Sequence, residues 1–118
     1  TDGGQENSKR AKELPLVYIS VDIDVLDPSA APGTGTPECG GLFSYQLFQI
    51  FRGMKRFAHK MNIVGCDMVE VSPAWDNHAK VTGLAAAHVL FQIMCLMEVN
   101  ALKTNTLKQK QCLKAKLW

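Results

Sequence analysis

Two aspartates near the start of the chain have a type and spacing that could bind a metal ion. Asp22 and Asp24 directly follow a short apolar run, residues 16–21 (LVYISV). Because side chains two residues apart in extended backbone point to the same face, we expect these carboxylates to lie side by side. Two neighbouring negative charges raise each other's pKa unless a cation joins them. Oxygen-only ligands suit magnesium, calcium or manganese, so the pair predicts a divalent-metal site.

The residues alone leave other uses of this acidic stretch open. A hydrophobic strand running into Asp-x-Asp is also typical of aspartate-nucleophile phosphatases, although Leu26 stands where these usually have Thr or Val. The pair could equally cap a strand in water. Asp27 precedes Pro28 and is expected to cap a turn rather than bind metal. Calcium-loop and dinucleotide-loop patterns fail, because Asp27 and Glu38 stand where those motifs need glycine.

A further acid stands in a second apolar run. Glu70 lies within residues 67–73 (DMVEVSP). A carboxylate close to a metal site can hold a planar guanidinium by two parallel hydrogen bonds. A salt bridge to a buried arginine is an equally good interpretation of Glu70 from the sequence.

The hydrophobic pattern predicts a parallel α/β arrangement. Residues 16–21 and 63–71 are predicted strands, each followed by a polar loop and then by a helix-period segment. This order is typical of a parallel sheet with helices on its faces. In such sheets ligands bind at the carboxyl ends of the strands, where both acidic loops begin.

Two helices are predicted between and after these strands. Ser44 is the expected cap of the first, which carries apolar residues at helical spacing and ends near Asn62. Thr82 is the expected cap of the second. Its run at residues 84–97 is apolar almost all round, which predicts a helix buried on every side.

Composition indicates one globular domain. The chain has 118 residues, of which 47% are hydrophobic and 20% charged. We expect a polar lead-in at residues 1–14, a compact region at 15–102 and a basic tail at 103–118. The tail carries five lysines and no acid, and this single basic segment does not predict nucleic-acid binding. The apolar region 81–102 is interrupted by polar residues and is not predicted to span a membrane.

The longer motifs resemble a known family. They are residues 20–28 (SVDIDVLDP), 32–38 (PGTGTPE), 40–42 (GGL) and 65–73 (GCDMVEVSP). Together they resemble the carboxyl-terminal half of the ureohydrolases, the family of arginase and agmatinase, over about residues 16–102. The PGTGTP and VSPAWD segments are more similar to agmatinases than to arginases, with Trp75 where tyrosine is expected.

This resemblance implies a three-layer α/β/α fold with a parallel sheet, of which the chain would be the carboxyl-terminal part. It also implies a binuclear manganese centre that lowers the pKa of a water molecule and hydrolyses a guanidine, agmatine, to putrescine and urea. By the same resemblance Asp22 would bridge both metals and Asp24 would bind one. Glu70 would hold the guanidinium of the substrate, and Thr36 would line the pocket.

The rest of the implied centre is missing from the sequence. The family uses four aspartates and two histidines, and its Gly-Gly-Asp-His and Asp-Ala-His-x-Asp segments do not occur here. His59 is expected on a helix surface, His88 in the core, and His78 in a loop from which it could reach the pocket. We therefore expect the isolated chain to be inactive.

The expected partners and compartment follow from the resemblance. They are a small guanidine substrate and other subunits, as a homo-oligomer or with full-length protomers, and neither nucleic acid nor a membrane. An alternative function is that of a non-catalytic subunit of the full-length enzyme. The four cysteines show no C-x-x-C pair, which predicts reduced thiols in an intracellular protein. The compartment would be mitochondrial for an animal agmatinase and cytoplasmic otherwise.

Overall fold

The computed structural model describes residues 14–115. The predicted polar lead-in therefore lies outside the described residues, except for Leu14, and so do residues 116–118 of the tail.

The core of the fold is a pair of parallel strands. Strand β1 spans Leu16–Asp22 and strand β2 spans Asn62–Val69. The two are hydrogen-bonded neighbours, in a register that sets Asp22 beside Val69. The predicted parallel sheet is thus confirmed, although β2 ends two residues earlier than expected. It ends there because Glu70 adopts a left-handed backbone conformation with φ 62°, which cannot continue a strand.

The first helix is shorter than its apolar pattern suggested. Helix α1 spans Ser44–Met54, and a 3₁₀ segment, Lys55–Lys60, follows it. The expected cap at Ser44 is wrong, because Ser44 is already the first helical residue. The cap is Phe43, whose backbone N–H donates to Gln46 Oε1 at 2.8 Å.

The second helix, α2, spans Val81–Ala115, so its backbone runs on through the predicted basic tail. The expected cap at Thr82 is also wrong. The Thr82 side chain is fully buried and its Oγ1 accepts a hydrogen bond from the N–H of Gly33 at 2.8 Å. Asp76 caps the helix instead, accepting from the N–H of Thr82 at 3.2 Å and of Gly83 at 3.1 Å.

Over residues 84–97 helix α2 is buried along one stripe only, which corrects the prediction that this run is buried on every side. Val89, Ile93 and Leu96 have no exposed surface, whereas Leu84 and Met94 are about two-thirds exposed, at 66% and 65%. The segment Val81–Leu102 has the length and composition of a membrane-spanning helix. The core helix of a soluble protein has the same properties, so the expectation that no membrane is involved stays a prediction.

The two faces of the sheet have different surroundings. We call the inner sheet face the one whose residues enter the apolar core with α1 and α2: Val17, Ile19, Val21, Ile63, Cys66 and Met68. We call the opposite side the outer sheet face, with Leu16, Tyr18, Ser20, Asp22, Gly65, Asp67 and Val69. A register irregularity between Val17 and Tyr18 sets Gly65 opposite Tyr18, so Ile63 and Cys66 share the inner face although they are three residues apart. Both helices of the described chain pack with the inner face, so residues 14–115 supply two of the three expected layers.

Candidate active site

Three acids lie at or just after the carboxyl ends of the two strands. Asp22 is the last residue of β1 and pairs with Val69, so Glu70 is the next residue along the neighbouring strand. Asp24 lies in a 3₁₀ turn, Ile23–Val25, directly after β1. The structure thus places all three predicted site residues at the strand ends, where open parallel sheets bind ligands.

The two aspartates are held together differently from the prediction. We expected extended backbone through both, but the chain turns after Asp22, and Asp24 lies in the turn. The backbone N–H of Asp24 donates to Asp22 Oδ1 at 3.1 Å. This bond caps the turn, because a short acidic side chain readily accepts from the N–H two residues on.

Thr36 contacts Asp24 directly. Its hydroxyl donates to Asp24 Oδ2 at 2.9 Å, across a loop of twelve residues. Each aspartate thus has one carboxylate oxygen engaged, whereas Asp22 Oδ2 and Asp24 Oδ1 accept no hydrogen bond from residues 14–115. One oxygen of each carboxylate is therefore available to a ligand.

The loop that carries Thr36 is tied to both neighbouring elements through Gly33. The Gly33 N–H donates to Thr82 Oγ1 at 2.8 Å, and the Gly33 carbonyl accepts from the Ser72 N–H at 2.7 Å. A Cβ atom at Gly33 would lie 2.9 Å from both Asp76 Cβ and Thr82 Oγ1. Only glycine fits there, and its two bonds hold the loop between the exit of β2 and the start of α2.

Asp76 supports this arrangement, and sequence reasoning did not identify it. Partial desolvation raises the pKa of Asp76, but hydrogen bonds from the N–H groups of Gly83, Thr82 and Asn77 outweigh it and lower the pKa below its ordinary value. The carboxylate therefore stays ionised at the amino end of α2, where the helix dipole favours negative charge. The signal was present, since acidic and amide residues just before an apolar helical run mark a helix start.

Glu70 was predicted to lie within the second strand. It lies just beyond the end of β2 instead. Its side chain is exposed, and its left-handed conformation is uncommon for a residue with a side chain. Glu70 makes no ion pair with any residue from 14 to 115, so the alternative of a salt bridge to a buried arginine is not realised in that part of the chain. Backbone strain of this kind clusters at ligand sites.

Asp27 holds a turn, as predicted. Its Oδ1 accepts from the Ser29 N–H at 2.9 Å and its Oδ2 from the Gly40 N–H at 3.1 Å. Hydrogen bonds from the Ser29 hydroxyl and N–H, followed by that from Gly40, lower the pKa of Asp27. Both of its oxygens are already engaged, which separates Asp27 from the neighbouring pair.

The histidines do not complete a metal site in the described chain. His88 is exposed, with its ring stacked on Phe48 at 4.3 Å, so its expected place in the core is wrong. His59 is half-buried rather than exposed, and His78 is exposed in the loop before α2. Among the residues whose side chains the structure describes, no three or more His, Cys, Asp or Glu side chains form a group that could hold a metal ion.

The two aspartates could supply some of the ligands of a metal centre. Their available oxygens are the donor type that hard divalent ions prefer, but such ions take about six ligands or more. Asp22 and Asp24 could therefore anchor an ion whose remaining ligands come from elsewhere.

Comparison with known proteins identifies the family of the chain. Over 81 residues the chain is 51% identical to an agmatinase of Chromobacterium violaceum, covering 69% of this chain and 24% of the relative. It is 49% identical over 81 residues to a mitochondrial guanidino acid hydrolase of Homo sapiens, covering 69% and 22%. The chain thus spans about a quarter of the length of the curated relatives it matches.

A solved structure supports the fold. A hypothetical agmatinase from Burkholderia thailandensis superposes with a TM-score of 0.60 at 49% identity, covering 67% of this chain and 24% of the other. The expected arginase-like α/β fold is thereby confirmed. Residues 5–96 match the arginase family, and the chain belongs to that family.

Proposed function

We propose that the chain is the carboxyl-terminal part of a manganese-dependent, agmatinase-like ureohydrolase that converts agmatine to putrescine and urea. The observation that best supports this is the pair Asp22 and Asp24, each with one carboxylate oxygen available, beside Glu70 at the ends of two parallel strands. Membership of the arginase family favours this proposal over the phosphatase alternative.

Each residue would have a separate task. Asp22 Oδ2 and Asp24 Oδ1 would hold manganese, and the Thr36 hydroxyl would keep Asp24 turned toward it. When bound, manganese would supply a water of lowered pKa. The exposed carboxylate of Glu70 would accept hydrogen bonds from the guanidinium of the substrate and fix its plane. Placing the guanidinium carbon beside the activated water lowers the barrier through proximity.

The similarity to agmatinases favours agmatine as the substrate, with 51% identity to the Chromobacterium violaceum enzyme. Agmatine carries a guanidinium at one end and an ammonium at the other, whereas a guanidino acid carries a carboxylate. Manganese would offset the charges of Asp22 and Asp24, and Glu70 would pair with the guanidinium that both substrate classes share. A relative whose name specifies guanidino acids shows that the family also contains the other preference.

The test is a chimera in which residues 16–96 replace the matching segment of the Chromobacterium violaceum agmatinase. We expect the chimera to release urea from agmatine with a larger kcat/KM than from 4-guanidinobutyrate. Asp24→Asn should abolish urea release, whereas Asp27→Asn, three residues away, should keep most of it. Asparagine can still accept from the Ser29 N–H and loses only the bond from Gly40. A folded chimera that releases no urea, or an equal loss from both substitutions, would contradict the proposal.

The isolated chain is expected to be inactive with manganese and agmatine, because two carboxylates are too few to hold the ions tightly. Appreciable urea release by the purified chain would contradict this.

The alternative of a non-catalytic subunit, and the expected homo-oligomer, stay predictions. The exposed apolar residues of α2, such as Leu84 and Met94, favour some association. Co-expression with a full-length agmatinase followed by size-exclusion chromatography tests both. Failure to co-elute removes the subunit hypothesis.

An intracellular location, mitochondrial in an animal, is part of the proposal, and the human relative is named as mitochondrial.

A further inference from the structure

The acids of the candidate site leave one end of the substrate without an assigned partner. Glu70 would pair with the guanidinium that agmatine and guanidino acids share, and manganese would offset the charges of Asp22 and Asp24. None of these acids therefore distinguishes the ammonium of agmatine from the carboxylate of a guanidino acid. A group that prefers a cation to an anion is needed beside them.

Trp75 lies on a turn that is fixed to the loop lining the site. The turn is a 3₁₀ segment, Pro73–Trp75. On one side of it the Ser72 N–H donates to the Gly33 carbonyl at 2.7 Å. On the other side Asp76 packs so closely against Gly33 that an added Cβ would lie 2.9 Å from Asp76 Cβ. Both ends of the turn are thus held against this loop, which places Trp75 at the rim of the site.

The indole of Trp75 has an available aromatic face. Trp75 is 73% exposed, and no ring or cation of the described residues lies over it. Lys80 follows in the same loop, but its Nζ donates to the Pro73 carbonyl at 3.5 Å. Single exposed aromatic residues are common on protein surfaces. The argument for Trp75 therefore depends on its position beside the site as well as on its exposure.

A tryptophan face distinguishes the two classes of substrate. The face of the ring carries partial negative charge, and tryptophan binds cations more strongly than the other aromatic side chains do. A carboxylate is disfavoured at the same place. At an exposed position a cation–π contact changes the affinity by about two- to fivefold.

We propose that Trp75 is a specificity-determining residue whose indole face binds the ammonium end of agmatine while Glu70 holds the guanidinium. The inference rests on the proposed function, because it assumes a guanidine substrate at this site. It assigns the preference for an amine over a carboxylate to the turn after β2 and not to the three acids.

Fluorescence of the full chain tests this contact without metal or turnover. The sequence has two tryptophans, so Trp118→Phe leaves Trp75 as the only one. Agmatine and 4-guanidinobutyrate are titrated separately at equal ionic strength. We expect agmatine to change the Trp75 emission saturably, with a half-saturation concentration about two- to fivefold lower than that of 4-guanidinobutyrate. Glu70→Gln should weaken the response to agmatine, which ties it to the candidate site.

The chimera provides the matching kinetic test. Trp75→Leu should raise the KM for agmatine by about two- to fivefold, while kcat for agmatine and kcat/KM for 4-guanidinobutyrate stay unchanged. Trp75→Tyr keeps an aromatic face and should restore most of the affinity. Phe57→Leu is the matched control, because Phe57 is 52% exposed and lies before the start of β2, at the opposite end of the strand. It should change neither KM, and circular dichroism checks the fold of each variant.

Several results would overturn the assignment of Trp75. They are the absence of an emission change with agmatine, an equal response to both compounds, and a response that Glu70→Gln leaves unchanged. A KM for agmatine that Trp75→Leu does not raise, or that Phe57→Leu raises equally, would also overturn it. A chimera that releases no urea while the difference in binding persists would contradict the proposed function and support the contact at Trp75.

Discussion

The inner and outer sheet faces belong to the same two strands and have opposite surroundings. On the inner face Ile19 is 9% exposed and Val21 is 7% exposed, whereas on the outer face Leu16 is 73% exposed. A strand buried on both faces reads as a nearly continuous hydrophobic run, and LVYISV is such a run. The sequence of β1 is thus typical of a strand that is covered on both faces, whereas the described chain covers only its inner face.

The largest expected difference in unfolding free energy is between a leucine-to-alanine substitution in the core beneath the inner sheet face and one on the outer sheet face. Leu96 is fully buried against the inner layer, so Leu96→Ala should cost about 2–5 kcal/mol of unfolding free energy through lost burial and a cavity. Leu16→Ala should cost about 0.5 kcal/mol or less in the isolated chain. Urea denaturation measures both. Similar losses would mean that the outer sheet face is already covered.

Alanine substitutions at Gly41 and Gly65 should differ in their cost to stability. A Cβ at Gly41 would lie 2.6 Å from the backbone N of Asp27, which cannot move aside, so Gly41→Ala should cost about 1–3 kcal/mol. At Gly65 the obstacle is the exposed Tyr18 ring, which can swing away, so Gly65→Ala should cost about 0.5 kcal/mol or less. A larger loss of stability for Gly65→Ala would contradict the assignment of an uncovered face.

The pH dependence of stability should report on Asp76 at the amino end of α2. Because its pKa in the folded state is lowered from the ordinary 3.8, its contribution is complete above that value and is lost as the pH falls through the folded-state pKa. Urea denaturation from about pH 5 to about pH 2 should show this loss, and Asp76→Asn should reduce the slope. An unchanged slope in the variant would place the acid sensitivity in other groups.

The smallest effect is expected at Tyr18. The hydrogen bond to Asp67, with desolvation and the Asp67 charge, raises the pKa of Tyr18 above the ordinary 10.0. The neutral phenol is favoured by folding, so this contribution is present below the ordinary pKa and is lost as the pH rises through the folded-state value. Ultraviolet titration should show the raised pKa and its decrease in Asp67→Asn. No difference between the two proteins would contradict the hydrogen-bonded arrangement on the outer sheet face.

The sequence predicted what depends on local pattern. Hydrophobic runs located both strands, and their order indicated parallel pairing. That the acids after them form the site stays a prediction. Asp27 was correctly interpreted as a turn residue, since its partners Ser29 and Gly40 lie nearby in the chain.

What depends on distant partners was not predictable. Thr82 is a residue type that often caps helices, but its hydroxyl accepts a hydrogen bond from the N–H of Gly33, which is 49 residues away. Likewise the exposure of Leu84 and Met94 depends on which segments pack beside α2, and no local pattern encodes that. The bond between Thr36 and Asp24 is of the same kind, since it closes a loop whose shape is set by Gly33 and Ser72.

Manganese retention by the chimera tests the central claim about Asp22 and Asp24 most directly. After loading and extensive desalting, manganese is quantified in the chimera and in its Asp22→Asn and Asp27→Asn variants. The account predicts that the chimera and Asp27→Asn retain the metal and that Asp22→Asn loses most of it. Equal retention in all three would contradict the claim that the carboxylates at the end of β1 hold the ion.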